Sequence, residues 1–185
     1  MNVRTHFRKW RSRVRTIVIA AMLLASLPAS GAPNVFREPY AKITNYGIVT
    51  NEPQPKAVLV EPSAPSGVLR KFAAKEMAFL ETTDRIPAKL GIRFGLAFEI
   101  YNLPDVPHIA LRTRVFHPPM KKPDGKTSTE FEYVRRLAVN GGKTYGGISY
   151  RFDEPHEVLP GTWSFEYFLG DTKLFSKDFV VIHAE

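Results

Sequence analysis

Residues 90–101 read Leu-Gly-Ile-Arg-Phe-Gly-Leu-Ala-Phe-Glu-Ile-Tyr, and no other stretch restricts the possible folds as much. Ile92, Phe94, Leu96, Phe98 and Ile100 occupy every second position, with Arg93, Gly95, Ala97 and Glu99 between them. A period of two puts five large apolar side chains on one face of a pleated strand. That face is stable in water only beneath a second layer, so the remainder of the chain has to provide one.

Most of the remainder also reads as strand. Residues 40–49 carry Ile43, Tyr46, Ile48 and Val49 and form the first candidate. Residues 51–67 hold Pro53, Pro55, Pro62 and Pro65 around Val58, Leu59 and Val60. Proline removes ladder donors, so this is a Pro-rich loop or excursion with room for a short edge strand at most. Residues 68–83 are ambiguous. Leu69, Phe72, Ala73, Met77 and Leu80 fit a helical stripe, whereas 79–83 ahead of Pro87 look extended, and the reading leans to strand at that end.

Beyond the organising stretch, Ile109, Leu111 and Val115 alternate with Arg112 and Arg114 over 108–116. Pro118, Pro119 and Pro123 with Asp124-Gly125 read as a turn-rich connection. Phe131, Tyr133, Leu137 and Val139 then share a face that Arg135 interrupts, which suggests a bulge or an exposed strand end. Ile148, Tyr150 and Phe152 follow the turn at Asn140-Gly141-Gly142. The clearest hairpin is last: Trp163, Phe165, Tyr167 and Leu169 alternate, Gly170-Asp171 turns, and Phe175, Phe179 and Val181 return. Seven or eight short strands with little helix predict an all-β, antiparallel, immunoglobulin-like β-sandwich with Trp163 in its core.

The first 32 residues stand apart. Arg4, Arg8, Lys9, Arg11, Arg13 and Arg15 precede an apolar run over 17–27, which leads into Pro28, Ala29, Ser30, Gly31 and Ala32. Basic, apolar and small-residue regions in that order read as an N-terminal signal peptide, cleaved near Gly31 or Ala32, ahead of one domain over 33–185. The apolar run is shorter than the roughly 18 residues a membrane span needs, so no span is expected in the mature chain. The whole chain has 26 basic and 18 acidic residues, and removal of those six leaves 20 against 18, a net charge of +2. So small an excess lacks the electrostatic footprint of a nucleic-acid binder. Cysteine is absent, which excludes disulfides, thiol catalysis, Cys-based zinc sites and a lipid-anchored N-terminus.

Three stretches carry a resemblance. Residues 80–95 contain Thr82-Thr83 and Ile86-Pro87, residues 117–126 run from His117 to Lys126 through Pro118-Pro119 and Asp124-Gly125, and residues 158–167 contain Pro160-Gly161 and Trp163. The chain resembles the bacterial exported domain-of-unknown-function family numbered thirty-eight fifty-nine over about Ile43 to Val181, a span set by where the strand patterns begin and end. The resemblance implies a β-rich exported domain. It brings no established activity and assigns no catalytic, cofactor-binding or metal-binding residue.

The residues themselves offer few candidates. Asp153, Glu154, Pro155, His156 and Glu157 place acids beside an imidazole, the types needed for metal binding or general-base work, although a solvated loop has the same composition. His108, His117 and His183 are dispersed. Thr82, Thr83, Asp84 and Arg85 suit a turn held by side-chain to backbone hydrogen bonds better than a nucleophile. Arg93, Arg112 and Arg114 on polar parities suggest an exposed basic stripe. No nucleophile elbow or phosphate loop is present. The sequence therefore favours a non-catalytic exported module, periplasmic or else extracellular, without a cofactor, that binds a protein or other cell-envelope component or its own copies. The alternative is a small periplasmic hydrolase or metal-dependent enzyme centred near His156.

Overall fold

The computed structural model describes residues 37–50, the backbone of 57–60 and 68–71, and residues 77–184; the expected signal peptide over 1–32 lies outside the described residues. In chain order the strands are β1 (Tyr40–Val49), β2 (Ala57–Val60), β3 (Val68–Lys71), β4 (Phe79–Glu81), β5 (Arg85–Ala88) and β6 (Arg93–Tyr101). They continue with β7 (His108–Lys121), β8 (Thr127–Ala138), β9 (Thr144–Arg151), β10 (Gly161–Leu169) and β11 (Thr172–His183). A single 3₁₀ turn, Pro155–Glu157, joins β9 to β10.

The alternation over 90–101 becomes β6, flanked by β1 and β9 in a four-stranded sheet of order β4-β1-β6-β9. Phe94, Leu96, Phe98 and Ile100 are all buried on its inner face. The cover is a five-stranded sheet of order β5-β11-β10-β7-β8. Contact between the layers is largely aromatic. The Phe94 ring centre lies 5.8 Å from Trp163, 5.9 Å from Phe165 and 5.3 Å from Phe179. Phe98 sits 5.1 Å from Tyr167 and 5.2 Å from Phe175. Tilted and edge-on pairs at these distances add roughly 0.5–1.5 kcal/mol each beyond burial of their area. Trp163 is fully buried, as its alternating pattern predicts, and its indole N–H donates to Leu159 O at 3.1 Å.

Three expectations change. The described strands number eleven rather than seven or eight: β4 answers to the extended reading of 79–83, and the additions are β2, β3 and β5, four residues each and too short to display a period. The start of the ambiguous 68–83 stretch is strand β3 rather than helix, and it pairs antiparallel with β2, the short strand for which the Pro-rich loop had room, as a separate two-stranded ribbon. β7 also runs on to Lys121 instead of ending before Pro118 and Pro119. Its register with β8 shifts between Phe116 and Met120, so the prolines occupy a bulge where their missing N–H groups break no ladder.

The sheets are not wholly antiparallel either. β5 runs parallel to β11, with Arg85 opposite Val180 and Ala88 opposite His183. The chain crosses from β4 in one sheet to β5 in the other, and no hairpin links β5 to its neighbour to impose the antiparallel sense. Pro87 is accommodated because β5 is an edge strand. At the crossing Thr83, rather than Asp84, shapes the turn: its hydroxyl accepts from the Arg85 N–H at 3.1 Å, while Asp84 O accepts from the Val180 N–H at 2.7 Å.

Candidate functional site

The loop after β9 gathers the acidic residues around His156. Phe152 is fixed in the core, and Pro155 opens the 3₁₀ turn, where its fixed φ suits a first helical position. The turn directs Glu157 inwards, so that it has no exposed surface at all. Its Oε1 accepts from the Tyr150 hydroxyl at 2.9 Å, and its Oε2 accepts from the N–H groups of Asp153 at 2.6 Å and Glu154 at 3.0 Å. A carboxylate withdrawn from water needs such donors, and here they make it the pin of the loop. Burial, and then the neighbouring Glu157 charge, push the Tyr150 phenol well above its ordinary pKa. Asp153 pairs with Arg151 at 3.3 Å, and the Nε2 of half-buried His156 is enclosed without a hydrogen bond. Among the described residues no three His, Cys, Asp or Glu side chains converge as metal ligands would.

The other histidines remain apart from this loop's chemistry. His108 and His183 are exposed at strand ends. His117 is 5 % exposed, its ring 5.2 Å from Trp163 and 6.2 Å from Phe131. Its Nδ1 lies 2.8 Å from Pro118 O, and a carbonyl can only accept, so Nδ1 carries the proton and Nε2 is left without a partner. Burial holds the His117 pKa below 6.5.

The expected basic stripe does not form. Arg112 contacts Glu132 at 3.2 Å, and Arg114 contacts Glu130 at 2.8 Å and Glu132 at 3.4 Å, all across the β7–β8 pair. The guanidinium groups also lie over Phe168 at 4.3 Å and Phe116 at 4.9 Å. Arg93 belongs to the opposite sheet and is only 4 % exposed. Ser149 of β9 gives it a hydroxyl acceptor at 2.7 Å. A polar parity therefore did not mean solvent at Arg93, because the adjacent strand supplies the acceptor.

Arg135 departs furthest from expectation. The β7–β8 register is unbroken around it, so it marks neither a bulge nor a strand end. It holds an inner-face position in mid-strand and reaches across the sandwich, donating from Nη1 to the Gly147 carbonyl of β9. One position back on the same face, Tyr133 pairs with Thr113 of β7, and Thr113 pairs with Tyr167 of β10. Three hydroxyl side chains thus lie side by side across three strands beneath the guanidinium. Tyr167 and Thr113 have no exposed surface, and neither Tyr167 Oη nor Thr113 Oγ1 makes a hydrogen bond. The Tyr133 hydroxyl is near enough to Thr113 and Arg135 to feel both; burial pushes its pKa up to about 12, and Arg135 opposes that rise. Burial likewise raises the Tyr167 phenol, with Tyr133 adding and Arg135 opposing. The sequence does carry a signal for this group, since Thr113 and Arg135 stand on the apolar parities of their strands.

Two sheets closing on an aromatic core, with eight of nine sandwich strands joined in antiparallel ladders, define an all-β sandwich that resembles immunoglobulin-like proteins. An immunoglobulin-like protein from Pseudomonas aeruginosa matches with a TM-score of 0.57 at 26 % identity, over 80 % of this chain and 99 % of that one. The chain belongs to the family described as Domain of unknown function (DUF3859), whose profile it matches over residues 37–181. Two larger structures resemble it more weakly. A DNA-bound alkylpurine DNA glycosylase from Pseudomonas fluorescens gives a TM-score of 0.39 at 16 % identity, covering 56 % of this chain and 28 % of that one. A β-glucosidase from Listeria innocua gives 0.38 at 11 %, covering 55 % and 15 %. A search of curated proteins returned no match.

Proposed function

We propose that this chain is an exported, periplasmic, non-catalytic β-sandwich module that binds a protein or other cell-envelope component. The observation that carries this reading is β8, a twelve-residue strand at the edge of the five-stranded sheet. A strand with one unpaired side can recruit an extended segment by strand addition, with main-chain hydrogen bonds giving affinity and alternate side chains giving selectivity. Val134, near the middle of β8, is 60 % exposed, an apolar contact point between the charged flanks Glu132 and Arg136. Export is supported by the order of basic, apolar and small-residue regions over 1–32. Weighing against the alternative, an enzyme near His156, Glu157 already accepts from three donors and Asp153 is paired with Arg151.

The test places a photo-crosslinking residue at Val134 and, as a control, at Leu90, another exposed apolar position. In the exporting cell, position 134 should give a discrete non-self adduct that position 90 does not, and His156→Ala should leave it unchanged. Identical background at both positions, or loss of the adduct with His156→Ala, would overturn the edge-binding reading.

A further inference from the structure

We propose that the Tyr167–Thr113–Tyr133 row and Arg135 form a binding site for a small oxyanion, of the carboxylate or phosphate class, at the seam between β8 and β9. The site goes beyond the binding reading above and does not depend on it.

The argument begins with what the core would not need. Phe at 167 and 133 and Val at 113 would occupy similar space without polar atoms. Instead two of the three hydroxyls are buried without a hydrogen bond. An unpaired buried hydroxyl carries a desolvation penalty of about 1–3 kcal/mol, so each such group calls for a reason. Arg135 adds a second anomaly. A guanidinium offers five donors in a fixed fork; one bonds Gly147 O and another meets the Tyr133 hydroxyl, which leaves donors over, and among the described residues no carboxylate pairs with it. Donors and positive charge converge with no anion among the described residues to receive them.

The group lies at a seam between two sheet margins. β8 and β9 are edge strands of opposite sheets, and the Arg135–Gly147 bond spans the gap between them. Tyr133 and Arg135 are half-buried, whereas Thr113 and Tyr167 are fully enclosed, so the group runs from the surface inwards. One oxygen of a carboxylate or phosphate could accept from the Arg135 fork and a second from the Tyr133 or Tyr167 hydroxyl. Charge-assisted bonds of this kind, in a site largely removed from water, are the stronger sort.

The experiment titrates the mature full-length protein with sodium acetate and, separately, inorganic phosphate, at fixed ionic strength maintained with chloride. Binding is followed by the amide resonances of Thr113, Tyr167 and Gly147. We expect saturable shifts at these amides with at least one probe. Acetate alone identifies a carboxylate ligand; phosphate alone identifies a phosphate. Loss of one charged hydrogen bond corresponds to about a ten- to hundredfold affinity change, and Arg135→Gln should weaken binding by about that factor. Tyr167→Phe should weaken it while leaving the unliganded protein as stable or more so, which keeps the test decisive if Arg135→Gln fails to fold. No saturable shift with either probe, or binding unaffected by Tyr167→Phe and Arg135→Gln, overturns the proposal and leaves the hydroxyls as hosts of ordered water only.

Discussion

Glu157 shows how little residue type says about a residue's place. In sequence it stands in a polar group before a turn; in the fold it is fully enclosed and accepts from three donors. Replacing it with Ala leaves those donors unpaired and should lower stability by about 2–4 kcal/mol, against about 1–2 kcal/mol for Tyr150→Phe, which removes one of them. Urea denaturation would measure both, and equal losses would mean that the loop N–H groups readily find other partners. His117 gives a pH dependence whose sign follows from burial. The folded state holds its pKa below 6.5, so the unfolded chain binds more protons once the pH falls under that value. Its contribution is complete above pH 6.5 and declines as pH falls towards the lower folded pKa. Denaturation between pH 7 and pH 5 should therefore show a steeper loss in the parent protein than in His117→Phe; parallel slopes would discard this account. Trp163 and Phe94 were legible because large apolar residues at period two have one place to go. Glu157 was not, because its burial depends on two backbone N–H groups and a tyrosine that meet only in the folded loop.

Among elements, legibility followed length. The β10–β11 hairpin was evident from nine- and twelve-residue strands around Gly170, whose φ of 58° suits the turn. The three residues of β4 showed only as an extended segment ahead of Pro87, and what lets them approach β1 is one glycine in that strand. Gly47 has φ of 131°, and a Cβ there would lie 2.0 Å from the Glu81 carbonyl oxygen of β4. Gly47→Ala should cost about 1–3 kcal/mol and accelerate hydrogen exchange selectively along β4. At Gly170 a Cβ meets nothing within 4 Å, so Gly170→Ala should cost only about 1 kcal/mol, from φ alone. If the two variants lost equal stability, steric closure between β1 and β4 would not be what Gly47 provides. The mistaken strand end at Pro118 has a related cause: a bulge tolerates proline, and bulges leave no periodic mark.

For the whole molecule, composition and alternation were enough to indicate two apolar faces closing on one another, and Phe94 against Trp163, Phe165 and Phe179 is that closure. Strand order could not be read, because it depends on pairings between distant segments that no local pattern encodes. The proposed oxyanion site was legible only as Thr113 and Arg135 on apolar parities, since Tyr167, Thr113 and Tyr133 become neighbours only through the order β10-β7-β8. That order also places β11, the last strand of the domain, between β5 and β10 rather than at a margin. A chain emerging N-terminus first from a ribosome can pair β7, β8 and β10 early, but it completes its larger sheet only at the end. Until residues 172–183 are free, β5 lacks the strand it lies against, and Phe94 lacks Phe179. Closure of the sandwich at β5 and Phe179 therefore waits on the segment that is made last.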